Sequence, residues 1–203
     1  MNRGNFSRTI PILLVVIIVI VAIAAIVSIG RSIFSGGSDE SAVVEDRGQQ
    51  ALTSVDVTRA VRMTVRGPIV ANERHRSYQV TITPSGRVMT TYEGYLENTI
   101  ATKSYNNNTP AYEELVYALS RAGMMNERNI DDEEDDTRGI CAGGHVYEFE
   151  VLQADRTIEK LWTADCRGIK GSLDADANYL AALFTVQIPD SQELASEVDL
   201  PYR

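Results

Sequence analysis

The chain has 203 residues, room for one globular domain and an accessory segment, and its formal net charge is −9. Arg3, Arg8 and Arg31 are the only charged side chains among the first 35 residues. The other 16 basic groups therefore stand against all 28 acidic ones, a net of −12 that argues against nucleic acid as a partner, because phosphate binding needs a basic footprint.

Residues 1–9 are polar and carry two arginines. From Ile12 to Val27 every residue is apolar, and the stretch 10–29 is 20 residues long. At ~1.5 Å per residue that is about the thickness of a bilayer core. In lipid the backbone must satisfy its own hydrogen bonds, so this Ile- and Val-rich run reads as a transmembrane helix, with Pro11 in the first turn. A cleaved signal peptide is the alternative, but its apolar region would be shorter, about 7–15 residues. No cysteine follows to carry a lipid. Arg3 and Arg8 precede the run, whereas Arg31 is soon followed by Asp39, Glu40, Glu45 and Asp46. The positive-inside bias then places the N-terminus in the cytoplasm and the remainder outside. Residues 30–55, with Ser35-Gly36-Gly37-Ser38, read as a flexible linker.

An α+β domain is expected over 56–188, with 189–203 as a C-terminal tail. Val57, Val61, Met63 and Val65 alternate with Thr58, Arg62, Thr64 and Arg66, the pattern of a half-buried strand ended by Gly67-Pro68. Ser77–Thr83 and Val88–Tyr92 form a hairpin about Pro84-Ser85-Gly86-Arg87, and Thr99–Tyr105 adds a strand. Thr109 then caps a helix with Pro110 in its first turn, an apolar stripe at Tyr112, Leu115, Val116, Leu119 and Ala122, and a stop at Gly123.

A second hairpin turns at Ala154-Asp155. It pairs Tyr147, Phe149 and Val151 with the return strand Ile158–Thr163. A second helix follows, capped by Asp174, carrying Leu180, Leu183 and Phe184 with Tyr179 beside them, and ended by Pro189. Tyr78-x-Val80-x-Ile82 matches Tyr147-x-Phe149-x-Val151 at an offset of 69, which suggests a hairpin–helix repeat. The expected architecture is an antiparallel sheet with two helices on one face.

Cys141 and Cys166 flank the second hairpin. Hairpin pairing brings them close to facing, so a disulfide is expected, with a Cys-Cys-His metal set including His145 and a redox pair as alternatives. Gly143-Gly144 reads as a loose turn before that strand. Asp131–Asp136 is a run of six acids. Counted from Asp131, Asp136 and Ala142 occupy the positions where a calcium loop needs Gly and Glu, so a solvated loop is the simpler reading. Arg59, Arg62, Arg66, Arg74, Arg76 and Arg87 give the first sheet segment a local excess of positive charge, candidates for contact with an anionic surface. No nucleophile, metal or phosphate-loop motif occurs, and no cofactor is implied. The expected function is a non-enzymatic envelope module held by residues 10–29 in the bilayer and binding a protein or an anionic polymer. A hydrolase without a recognisable motif is the alternative.

Overall fold

In the computed structural model the described residues are 40–131 and 135–200, with side chains from Arg47 onward. The chain divides into two compact units, residues 1–44 and 45–203, and the second holds the whole sheet. The apolar stretch 10–29 lies outside the described residues, and among those no helix is long and apolar enough to cross a membrane.

Six strands form one antiparallel sheet: β1 (Arg59–Arg66), β2 (Arg76–Ile82), β3 (Gly86–Glu93), β4 (Asn98–Asn106), β5 (Val146–Gln153) and β6 (Arg156–Ala164). Their order is β4-β3-β2-β1-β5-β6. β1 is central because both of its faces have something to bury. Val61, Met63 and Val65 are fully buried beneath the helices, and Thr64 on the other face is covered as well. Val57, expected to begin this strand, is 88% exposed and lies before it.

The helices all contribute to the core on one face of the sheet. They are α1 (Glu40–Thr53), α2 (Thr109–Arg121), α3 (Ala177–Thr185) and α4 (Ser191–Glu197). From α2 come Tyr112, Leu115, Val116 and Leu119, the stripe read from the sequence; α3 adds Leu180, Ala181 and Phe184, and α4 adds Leu194 and Ala195. Residues 40–53 of the expected linker are therefore helical, with Leu52 seated in the core. Residues 191–200 of the expected tail are likewise structural, because Leu194, Val198 and Leu200 are buried.

Both caps sit beside the residues expected. Asn108, rather than Thr109, caps α2 by accepting from the backbone N–H of Ala111 at 3.0 Å, and Asp176, rather than Asp174, caps α3. Asp174 pairs with Arg128 instead. α3 ends at Thr185, before Pro189 is reached. The stop at Gly123 is as read: its φ of +79° lets Met124 N–H reach the Leu119 carbonyl and Gly123 N–H the Ser120 carbonyl, closing the helix.

The two similar strand segments flank β1 in matching register. Val61 pairs with Ile82 and Val151, Met63 with Val80 and Phe149, and Val65 with Tyr78 and Tyr147. They are not copies of one unit, which corrects the repeat reading. β2 and β5 point the same way and present their apolar residues to the same face, yet β3 lies to one side of β2 and β6 to the opposite side of β5. The hairpins are of opposite hand, and no rotation superposes them. The shared pattern arises because both strands pack against β1 under the same helices.

Candidate functional site

The sheet face away from the helices carries a closely bonded polar network beside a small apolar cluster around Val146 and Trp162. Thr102 donates to Thr90 at 3.3 Å, and Gln79 to Thr64 at 3.0 Å. Arg62 lies opposite Glu150 and meets it at 2.6 Å, while Arg66 reaches Glu148 at 3.0 Å. Burial pushes the Glu150 carboxyl up, but the Arg62 hydrogen bond and charge, with the Thr157 hydroxyl at 2.8 Å, outweigh it and hold the group below its ordinary value.

The basic residues singled out in the sequence do not form one patch. Arg62 and Arg66 are matched by these glutamates, Arg76 by Glu93 at 3.2 Å, and Arg87 by the Asn106 carbonyl. Arg74 is exposed on a 3-10 turn. Arg59 falls on the helix side of β1, where its Nε and one terminal nitrogen are buried without a partner.

Four connections meet at the end of the sheet where β1 finishes: 67–75, 94–97, 137–145 and 165–171. The disulfide Cys141–Cys166 ties the third to the fourth, with the Cα atoms 5.3 Å apart. The strand register anticipates this contact, although a bulge between Val151 and Leu152 shifts the pairing by one residue. Cys141, Cys166 and Asp165 are close enough to share an ion, but the sulfurs are bonded to each other and hold no thiolate. His145 turns to Asp165 instead, with Nδ1 2.7 Å from one carboxylate oxygen and its backbone N–H 2.7 Å from the other. The turn at Gly143-Gly144 is present but tight at Gly144, where a Cβ would stand 2.2 Å from Asp165 Oδ1 and 2.7 Å from Cys141 Sγ. Of the acidic run, residues 132–134 lie outside the described residues. Asp135 accepts from the Trp162 indole N–H at 2.5 Å. The side chain and then the backbone of Arg138 hold Asp136 at a pKa of about 2.

Between these connections lies a cavity of about 310 Å³. Arg66 and Val146, paired across β1 and β5, line it from the sheet. Gly67, Ile69 and His75 contribute from the first connection, Tyr95 from the second, and Thr137, Arg138, Gly139 and Ile140 from the third. The Ile69 N–H bonds the Ala142 carbonyl at 3.0 Å and joins two of these walls. His75 is 2% exposed; its ring stacks on Tyr95 with centroids 3.9 Å apart, and Nδ1 lies 3.1 Å from the Gly94 carbonyl. Tyr95 is fixed in turn by its hydroxyl, which donates to the Val70 carbonyl at 3.0 Å.

Among the described residues no carboxylate lines the cavity, and its hydroxyl groups are those of Thr137 and Tyr95. Sequence reasoning missed this site because its lining comes from three loops distant in sequence. The one available signal was an aromatic residue in a polar turn, Gly94-Tyr95, together with His75 between two strands. No protein-family model matches the chain, and no curated protein matches it in sequence.

Proposed function

We propose that the protein is a single-pass membrane protein, anchored by residues 10–29 with its N-terminus in the cytoplasm, whose extracytoplasmic domain is a non-enzymatic binding module acting through the cavity beside His75 and Tyr95. The observation that carries the reading is the Cys141–Cys166 pair at bonding distance, with Cys141 on the connection that forms one cavity wall. Such a bond persists in an oxidising compartment, and the apolar run with arginines before it supplies the matching orientation. A cavity built from loops on a rigid sheet is where binding residues concentrate. The test is thiol alkylation of the protein taken from its native membrane, read by intact mass. Alkylation of both cysteines only after reduction supports the reading; alkylation without reductant places the domain in a reducing compartment and overturns it.

The His145–Asp165 pair favours a second reading, a hydrolase, because an imidazole oriented by a carboxylate at 2.7 Å is the base half of a catalytic triad. A triad would also need a hydroxyl or thiol nucleophile at that ring. Turnover of 4-nitrophenyl acetate that is lost in His145→Ala would favour this reading over the first.

A further inference from the structure

We infer that the cavity takes a small carboxylate carrying a compact apolar body, an inference that rests on the binding-module reading of the same site. Its uncommitted polar groups are chiefly donors. Arg66 commits Nε and Nη2 to Glu148, and Arg138 commits the same two nitrogens to Asp136, so among the described residues each guanidinium keeps a free Nη1. Among the described residues no carboxylate in the lining would hold a cation.

Both arginines already face an acid. The site therefore supplies directed hydrogen bonds, which suit the paired oxygens of one carboxylate, more than the surplus charge a polyanion needs. The rest of the wall is apolar, from Ile69, Ile140 and Val146, with the His75–Tyr95 stack beside it. Inorganic phosphate would leave that surface uncovered, and a wholly apolar ligand would leave the Arg66 Nη1, on the less exposed of the two side chains, without a partner. A volume of about 310 Å³ is near the small end of the ~300–1,000 Å³ range of ligand pockets, which sets the compact body. Two sources share this chemistry: a free acid, and the terminal carboxylate of a peptide ending in an apolar residue.

The chain contains a single tryptophan, Trp162, which packs with Val146 and Ile140 of the cavity wall and so reports on its occupancy. The full chain in lipid nanodiscs is titrated with 3-phenylpropionate, its neutral amide, and the peptide alanyl-alanyl-phenylalanine as free acid and as amide, following Trp162 emission. The acids are expected to bind about tenfold tighter than their amides. Arg138→Gln, at a side chain 90% exposed and so outside the packed fold, should remove about tenfold of the acids' affinity and leave the amides unchanged. Ile69→Asp should abolish binding of both acids. Equal affinity for 3-phenylpropionate and the peptide acid assigns the free acid as the source, and a tighter peptide assigns the chain terminus. Amides that bind as tightly as acids, or an Arg138→Gln variant with undiminished acid affinity, overturn the carboxylate while leaving the cavity as the site. Failure of every probe to move Trp162 emission removes the cavity and the binding-module reading together.

Discussion

Replacing Arg62 by Met removes the ion-pair partner of Glu150 and leaves a carboxylate that is 7% exposed, with the Thr157 hydroxyl and the charge of Lys160 on the neighbouring strand against it. Breaking a buried ion pair from one side costs roughly 3–5 kcal/mol, because the remaining charge is stranded. The Arg62 side chain is 24% exposed, so water softens the loss and about 2 kcal/mol is expected. The double variant Arg62→Met/Glu150→Leu strands nothing and should return to within about 1 kcal/mol of the parent.

The pH dependence separates this account from a packing effect. In the parent, Glu150 sits below its ordinary value, so its contribution is present at neutral pH and is lost as pH falls through that depressed value. In Arg62→Met burial, the largest influence on the group, is opposed by Thr157 and Lys160 alone and is expected to raise it above its unfolded value. Its contribution is then full in acid and is lost as pH rises through the raised value. The penalty of Arg62→Met should therefore grow between pH 4 and pH 7. Urea unfolding of the detergent-solubilised chain, followed by far-UV circular dichroism at both pH values, measures it. A penalty independent of pH, or a double variant as unstable as the single one, would refute the reasoning.

Three further outcomes are expected. Cys141→Ser/Cys166→Ser opens a loop of sequence separation 25 and should cost about 3 kcal/mol in the same urea titration. Asn108→Ala should cost about 1 kcal/mol and Thr109→Ala only a few tenths, since Asn108 holds the Ala111 N–H; equal costs would return the cap to Thr109. Gly171→Ala forces a Cβ to within 2.2 Å of the Trp162 carbonyl and 2.7 Å of its ring. A loss of about 2 kcal/mol with a red-shifted Trp162 emission is expected, and an unchanged spectrum would show that the loop moves aside freely.

β1, β2 and β5 were legible because each alternates over at least five residues. Ala154 and Asp155 adopt φ values of +47° and +64° where the hairpin was read to turn. The caps were missed by one or two positions because Asn108 stands next to Thr109, and Asp174 and Asp176 share a segment, so composition alone does not choose between neighbours. α1 was hidden by its polar sequence, in which Leu52 is the large side chain that reaches the core, and α4 by its length of seven residues. The disulfide could be derived from strand pairing. The cavity could not, because bringing Ile69, Tyr95 and Ile140 together depends on how three loops cross the end of the sheet.

The position of β1 also bears on how the chain is made. It is the first strand synthesised and has a neighbour on each side, yet β5 follows it by 80 positions, counted from Arg66 to its partner Val146. At ~5–20 residues per second the ribosome needs about 4–16 s to supply that partner. Through that interval the β1–β2 pair exposes an unpaired edge beside Val61, Met63 and Val65, an arrangement that invites pairing between nascent chains. Arg59, Arg62 and Arg66, spread along the same strand, place like charges where two such edges would meet. They guard the edge until Glu148 and Glu150 arrive to neutralise two of them.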